Sequence, residues 1–124
     1  MNALLLVMAG GAIGSAARLL VGRAASTAFG GGYPWGTLIV NLAGGLAMGL
    51  LMGSLIRWSA AEPLRLFVGV GLLGGFTTFS AFSFETMLMI ERGATLAALG
   101  YALVSVIGSV AALSGGLMLT RSTL

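Results

Sequence analysis

Few residues in this 124-residue chain could do chemistry, and the most telling of them are uncharged. Asn41 sits in the middle of an apolar stretch, after Thr37, Leu38, Ile39, Val40, and its amide offers two donors and one acceptor. Phe76, Phe79 and Phe82 recur at i, i+3, i+6 with Glu85 next, a spacing that predicts one helical stripe. An aromatic ring has a positive edge, so ring edges turned inward could meet a small anion without offering a full charge. Binding of that kind is weak enough to permit release, as conduction requires. Ser80, Ser83, Ser105, Ser109 and Ser114 supply hydroxyl donors, although serine in an apolar helix commonly bonds its own backbone. The plainer alternative is a packing stripe plus an asparagine that only bridges helices.

The residues that are missing exclude more. There is no histidine, cysteine, lysine or aspartate, which removes the commonest general base, thiol chemistry and the usual transition-metal ligands. No paired carboxylates occur at a useful spacing, so an enzyme is not expected. The six arginines and three glutamates give a net charge of +3, but the arginines stand singly between apolar runs and form no nucleic-acid-binding patch.

The elements that must carry these residues read as membrane spans. Apolar residues make up 58% of the chain and charged residues 7%, with a mean hydropathy of +1.08. So few charges could not cover a soluble surface, and lipid is the natural solvent. Four stretches are long enough to span: about Ala3 to Val21, from after Tyr33, Pro34, Trp35 to near Ile56, from after Glu62 and Pro63 to about Ile90, and about Ala94 to Leu119. The start, Met1, Asn2, Ala3, lacks the positive leader of a cleaved signal, so the first run is expected to be a retained span. Tyr33 and Trp35 suit the lipid–water boundary. Gly93 suits a helix C-terminus.

Three arginines (Arg57, Arg65, Arg121) fall on the side of the termini and three (Arg18, Arg23, Arg92) on the other. The positive-inside rule then gives no preferred orientation, and two opposed copies could pair. The third span is too long: about 28 residues would make a helix of about 42 Å against a hydrocarbon core of about 30 Å. It must tilt, project or break, and Gly74, Gly75, Phe76, Thr77, Thr78 is its weakest helical segment. Arg18 is placed within a turn of the first span's end, able to snorkel outward or line an anion entrance. Glu85 is expected to face a vestibule or pair with an arginine. Glycines four apart (Gly10 and Gly14, Gly45 and Gly49, Gly49 and Gly53, Gly71 and Gly75) predict close helix contacts in lipid.

Three blocks, in order, resemble one family along essentially the whole chain: Gly10 to Gly14 leading to Arg18, Pro34 to Gly44, and Gly74 to Ser83 followed by Glu85. They are similar to the Fluc fluoride channels, also called CrcB proteins. The resemblance implies an all-α membrane protein, a single four-helix transmembrane domain over residues 1–124, with the third helix broken near the midplane. It implies an antiparallel dual-topology homodimer in the cell's inner membrane that exports fluoride passively. By the same resemblance Asn41, Phe79, Phe82 and Ser80 line the fluoride pathway, and Tyr101 and Ser109 match fourth-helix pathway positions. The backbone carbonyls of Gly74 and Thr77 from both subunits would hold one structural sodium ion. The family often has threonine where this chain has Ala81, and Ser15 and Leu19 replace an expected alanine and tyrosine. The rival reading is a small proton-coupled multidrug exporter, but that chemistry wants an acidic residue in the first span, and none lies between Met1 and Val21.

Overall fold

The computed structural model describes residues 2–55 and 62–122. Ile56, Arg57, Trp58 and Ser59, at the expected end of the second span and its connection, lie outside the described residues. Among the described residues four helical stretches are long and apolar enough to cross a membrane: Ala3–Phe29, Trp35–Leu55, Glu62–Glu91 and Thr95–Arg121. Their flanks carry large apolar side chains outward, with Leu96 85% exposed and Met118 69% exposed, a surface suited to lipid and not to water.

Helix α1 (Ala3–Phe29) is capped by the Asn2 side chain, which accepts from the Leu4 N–H at 2.7 Å. It runs eight residues past the expected end at Val21. A lone Arg23 does not stop a helix, and the alanines around it favour one. The stop comes at Gly30, whose φ of 79° is open to glycine and strained for other residues. Arg18 therefore lies well inside α1 and not near its end. Helix α2 (Trp35–Leu55) begins directly after Pro34, as a proline at a helix start allows.

The third segment is the irregular one. It is helical from 62 to 76 (α3), made of Glu62–Leu64, a π-wound stretch Arg65–Leu73, and Gly74–Phe76. The Gly74 N–H reaches back to the carbonyls of Gly69 and Gly71, the first being the i−5 bond of a π turn. Thr77 and Thr78 are extended, at φ −85°, ψ 156° and φ −150°, ψ 125°. Helix α4 (Phe79–Glu91) then starts with Thr78 as its cap, its hydroxyl accepting from the Ala81 N–H at 3.2 Å. Phe76 thus belongs to α3 while Phe79 and Phe82 belong to α4. The expected three-ring stripe is corrected to a pair, because i, i+3 spacing aligns residues only along a continuous helix. Gly93, at φ 82°, closes α4 by donating to the Ile90 carbonyl, as its sequence position suggests. Helix α5 (Thr95–Ser122) completes the bundle.

Among the described residues the glycines four apart lie on two backbone-to-backbone seams between helices. In one, Gly10 and Gly14 of α1 meet the backbone of the π stretch and α3: a Cβ on Gly14 would collide with the Leu72 carbonyl, and one on Gly75 would sit 2.7 Å from the Gly11 carbonyl. In the other, Gly45, Gly49 and Gly53 of α2 face α5, and a Cβ on Gly45 would lie 2.9 Å from the Ser109 carbonyl. The spaced glycines of the sequence are therefore contact points, as close packing in lipid requires. The buried apolar cluster, Leu38, Phe82, Met89, Ala98 and Tyr101, lies where α2, α4 and α5 meet.

Candidate functional site

The extended pair Thr77 and Thr78 leaves backbone groups without helical partners, and each must be satisfied in lipid. Asn41 answers two of them. Its Nδ2 donates to the Thr78 carbonyl at 3.0 Å, and its Oδ1 accepts from the Thr78 N–H at 2.8 Å. Arg18 answers a third, its Nε donating to the Gly75 carbonyl at 3.1 Å. Thr77 turns back on its own helix, with both N–H and hydroxyl donating to the Leu73 carbonyl at 3.0 and 2.9 Å.

These bonds redirect the donors that an unbroken helix would aim at Gly74 and Thr77. The Thr78 N–H, due to Gly74, goes to Asn41. The Ala81 N–H, due to Thr77, goes to the Thr78 hydroxyl. The Gly74 and Thr77 carbonyls therefore lack the donors an unbroken helix would give them.

Beside the interruption a groove of about 380 Å³ opens between α2, α4 and α5. Its polar wall is Asn41, Thr77, Thr78, Ser105 and Ser109; its rings are Phe79 and Phe82. Among the described residues no charged one lines it. The Phe79 and Phe82 centroids are 5.5 Å apart with the planes inclined at 49°. Phe79 is 77% exposed on the face of the chain, while Phe82 is buried beneath it. Among the described residues the buried Ser105 hydroxyl has no hydrogen-bond partner.

Other expected site residues stand apart from the groove. Tyr101 is fully buried behind it, 5.3 Å from Phe82 by ring centroids, with its hydroxyl 3.5 Å from Glu85 Oε1. The Ser80 hydroxyl is 3.3 Å from that of Thr78. Ser83 bonds the Phe79 carbonyl of its own helix. Glu85 lines a cleft with Arg92 and the 30–34 connection, while Arg18 and Arg23 line another together with Thr37, Thr78 and Ala81. The ion pair among the described residues joins Arg65 and Glu62 at 2.7 Å, at the start of α3 and away from the groove.

Thr78 and Ser105 also line this groove. The sequence offers Ser105 as one hydroxyl donor among five and Thr78 as part of the weak helical segment, but assigns neither to the pathway. Thr78 acts mainly through its backbone, which residue type does not reveal.

Comparison with known proteins bears directly on this arrangement. Residues 5–117 match the family described as CrcB-like protein, Camphor Resistance (CrcB). A protein of Caulobacter sp. (strain K31) named "Fluoride-specific ion channel FluC" is 56% identical, covering 98% of this chain and 96% of its own length. Proteins of the same name from Sphingopyxis alaskensis and Mesorhizobium japonicum are 54% and 52% identical, with 98% and 96% of this chain covered and 97% and 96% of their own. With a family match across nearly the whole chain and relatives more than half identical from end to end, this multi-pass membrane protein belongs to the CrcB family.

Proposed function

We propose that the protein is a fluoride-selective ion channel that lets fluoride leave the cytoplasm passively and so limits its toxicity. It is a conduit and not an enzyme. The observation that carries this reading is the uncharged groove where Asn41, Ser105, Ser109, Phe79 and Phe82 converge, in a chain more than half identical to proteins named for fluoride conduction.

Fluoride is small, strongly hydrated and only accepts hydrogen bonds. The Asn41 amide has a second N–H beyond the one given to Thr78, and the partnerless Ser105 hydroxyl can rotate to donate. These donors replace part of the ion's water, and the positive edges of Phe79 and Phe82 replace more. None carries a full charge, so the ion is not trapped. Chloride is larger and is rejected by the narrow passage. Fluoride enters the cell as its neutral acid, ionises there, and leaves by this route.

The conducting form is an antiparallel homodimer in the inner membrane. The evenly divided arginines support insertion in both orientations, and a second copy laid on the exposed Phe79 face would close the groove into a pathway. The interruption at Thr77 and Thr78 then lies near the bilayer midplane. The residues fit a structural sodium ion there: the Gly74 and Thr77 carbonyls have lost their helical donors, and carbonyl oxygens suit a hard cation. When bound, the ion supplies positive charge to those carbonyls and ties two copies together; it is not transported.

The test is release from liposomes containing the purified protein, read by fluoride- and chloride-selective electrodes. Rapid fluoride release with no chloride release is expected. Release of neither anion overturns the reading and favours proton-coupled export or a purely structural role.

A further inference from the structure

Tyr33 and Trp35 both suit the membrane boundary by type, yet the fold treats them differently. Trp35 is 40% exposed, whereas Tyr33 turns inward against the buried cluster of Leu38, Phe82, Met89, Ala98 and Tyr101. Gly30 ends α1 with positive φ, and the Trp35 N–H donates to the Tyr33 carbonyl at 2.8 Å, which fixes the backbone that aims this ring. The Tyr33 and Tyr101 rings stand nearly perpendicular, at 84°, with centroids 5.5 Å apart. Tyr101 then meets Phe82 at 5.3 Å, and Phe82 meets Phe79 at 5.5 Å. Outward, Tyr33 meets Trp35 at 4.8 Å and Trp35 meets Phe29 at 5.5 Å. The rings form one unbroken ladder from the α1–α2 connection to the groove.

We propose that Tyr33 is a positioning residue for conduction: it holds Tyr101, and through Tyr101 sets the angle at which Phe82 presents its edge to the ion. This rests on the channel reading above. The Tyr101 hydroxyl has two polar neighbours, Glu85 at 3.5 Å, the limit of a hydrogen bond, and the Thr37 hydroxyl, and these hold one atom at the ring's tip without fixing the tilt of its plane. The ring is held by its neighbours, and its T-shaped partner is Tyr33. Without the Tyr33 ring, Tyr101 has room to retreat from Phe82. Edge-on attraction is directional, so a tilted Phe82 offers face where the ion needs edge. The role belongs to the ring and not to the Tyr33 hydroxyl.

The experiment compares Tyr33→Leu and Tyr33→Phe with the parent protein, with Tyr33→Met as a second ring deletion should the leucine variant not fold. Fluoride release from liposomes is expected to fall about tenfold in the ring deletions and to stay within about twofold in Tyr33→Phe, the scale of one lost aromatic pair. With 4-fluorophenylalanine incorporated at position 82, the fluorine NMR resonance should shift or broaden in Tyr33→Leu and match the parent in Tyr33→Phe. A ring deletion that leaves either the resonance or the release rate unchanged overturns the proposal, as does a Tyr33→Phe variant as slow as Tyr33→Leu. If the parent protein itself releases no fluoride, the channel reading fails and conduction cannot be what Tyr33 serves, while the resonance still reports whether its ring holds Phe82.

Discussion

Asn41 and Thr78 pair as two residues of adjacent strands do: each gives one hydrogen bond and takes one, at 3.0 and 2.8 Å, although one partner is a side chain. A side-chain amide has the same donor and acceptor as a peptide group. Placed on α2, it stands in for the strand that an extended segment inside a helical bundle lacks. The same amide keeps one N–H free, so holding the interruption and meeting an ion are compatible tasks.

Asn41→Ala leaves both part-buried Thr78 groups unpaired, at a cost of up to about 1–3 kcal/mol for each. We expect a lower melting temperature in detergent and no fluoride release. Asn41→Asp keeps the acceptor but sets a carboxylate against the Thr78 carbonyl, and should also fail. An alanine variant that melts with the parent would show that the pairing contributes nothing.

Phe79→Ile removes a ring edge from a side chain that is 77% exposed on the chain. Little folding energy of the single chain is at stake, and isoleucine keeps an apolar side chain on the face a second copy would cover, so elution on gel filtration should be unchanged. Fluoride release is expected to drop roughly tenfold, the scale of one favourable ring contact. Undiminished release in liposomes removes Phe79 from the pathway.

Gly49→Ala should be among the most damaging single methyl additions, because the new Cβ would collide with the Leu113 carbonyl and crowd Gly116. Backbone atoms cannot step aside as a flexible side chain can, and overpacking costs about 1–3 kcal/mol. Gly100→Ala is the matched control, since nothing lies within 4 Å of its Cβ position. Thermal melting in detergent should fall clearly for the first and hold or rise for the second.

Exhaustive replacement of sodium by potassium or a bulky organic cation should slow fluoride release and lower the melting temperature. A cation present at about 100 times its dissociation constant contributes about 2.7 kcal/mol, all of which leaves with it. Melting curves that do not depend on the cation would argue against an ion at the Gly74 and Thr77 carbonyls.

Much of this arrangement can be read from the chain. The four apolar runs are unmistakable, because lipid permits little else at 7% charged residues. The glycines four apart mark where backbones meet, since no other residue permits those distances. Asn41 stands out by being polar where everything near it is not. What was hidden depends on continuity and winding. Spacing put Phe76 in line with Phe79, but two extended threonines divide them. Arg18 invited a place at the membrane surface, yet it reaches a carbonyl on another helix because α1 continues past it. Tyr33 and Trp35 have the same affinity for a boundary, and only the turn between α1 and α2 decides which faces inward. Nothing in the composition of Arg65–Leu73 announces that it winds as a π-helix.

That wide winding bears on how the chain tolerates length change. A π turn accommodates more residues than an α turn over the same climb. Loss of one residue between Phe67 and Leu72 can be absorbed as the coil tightens, and Thr78 stays opposite Asn41. The same loss from α2 ahead of Asn41 has no slack to draw on: it would swing the amide by about 100° around its axis, and the clasp would open.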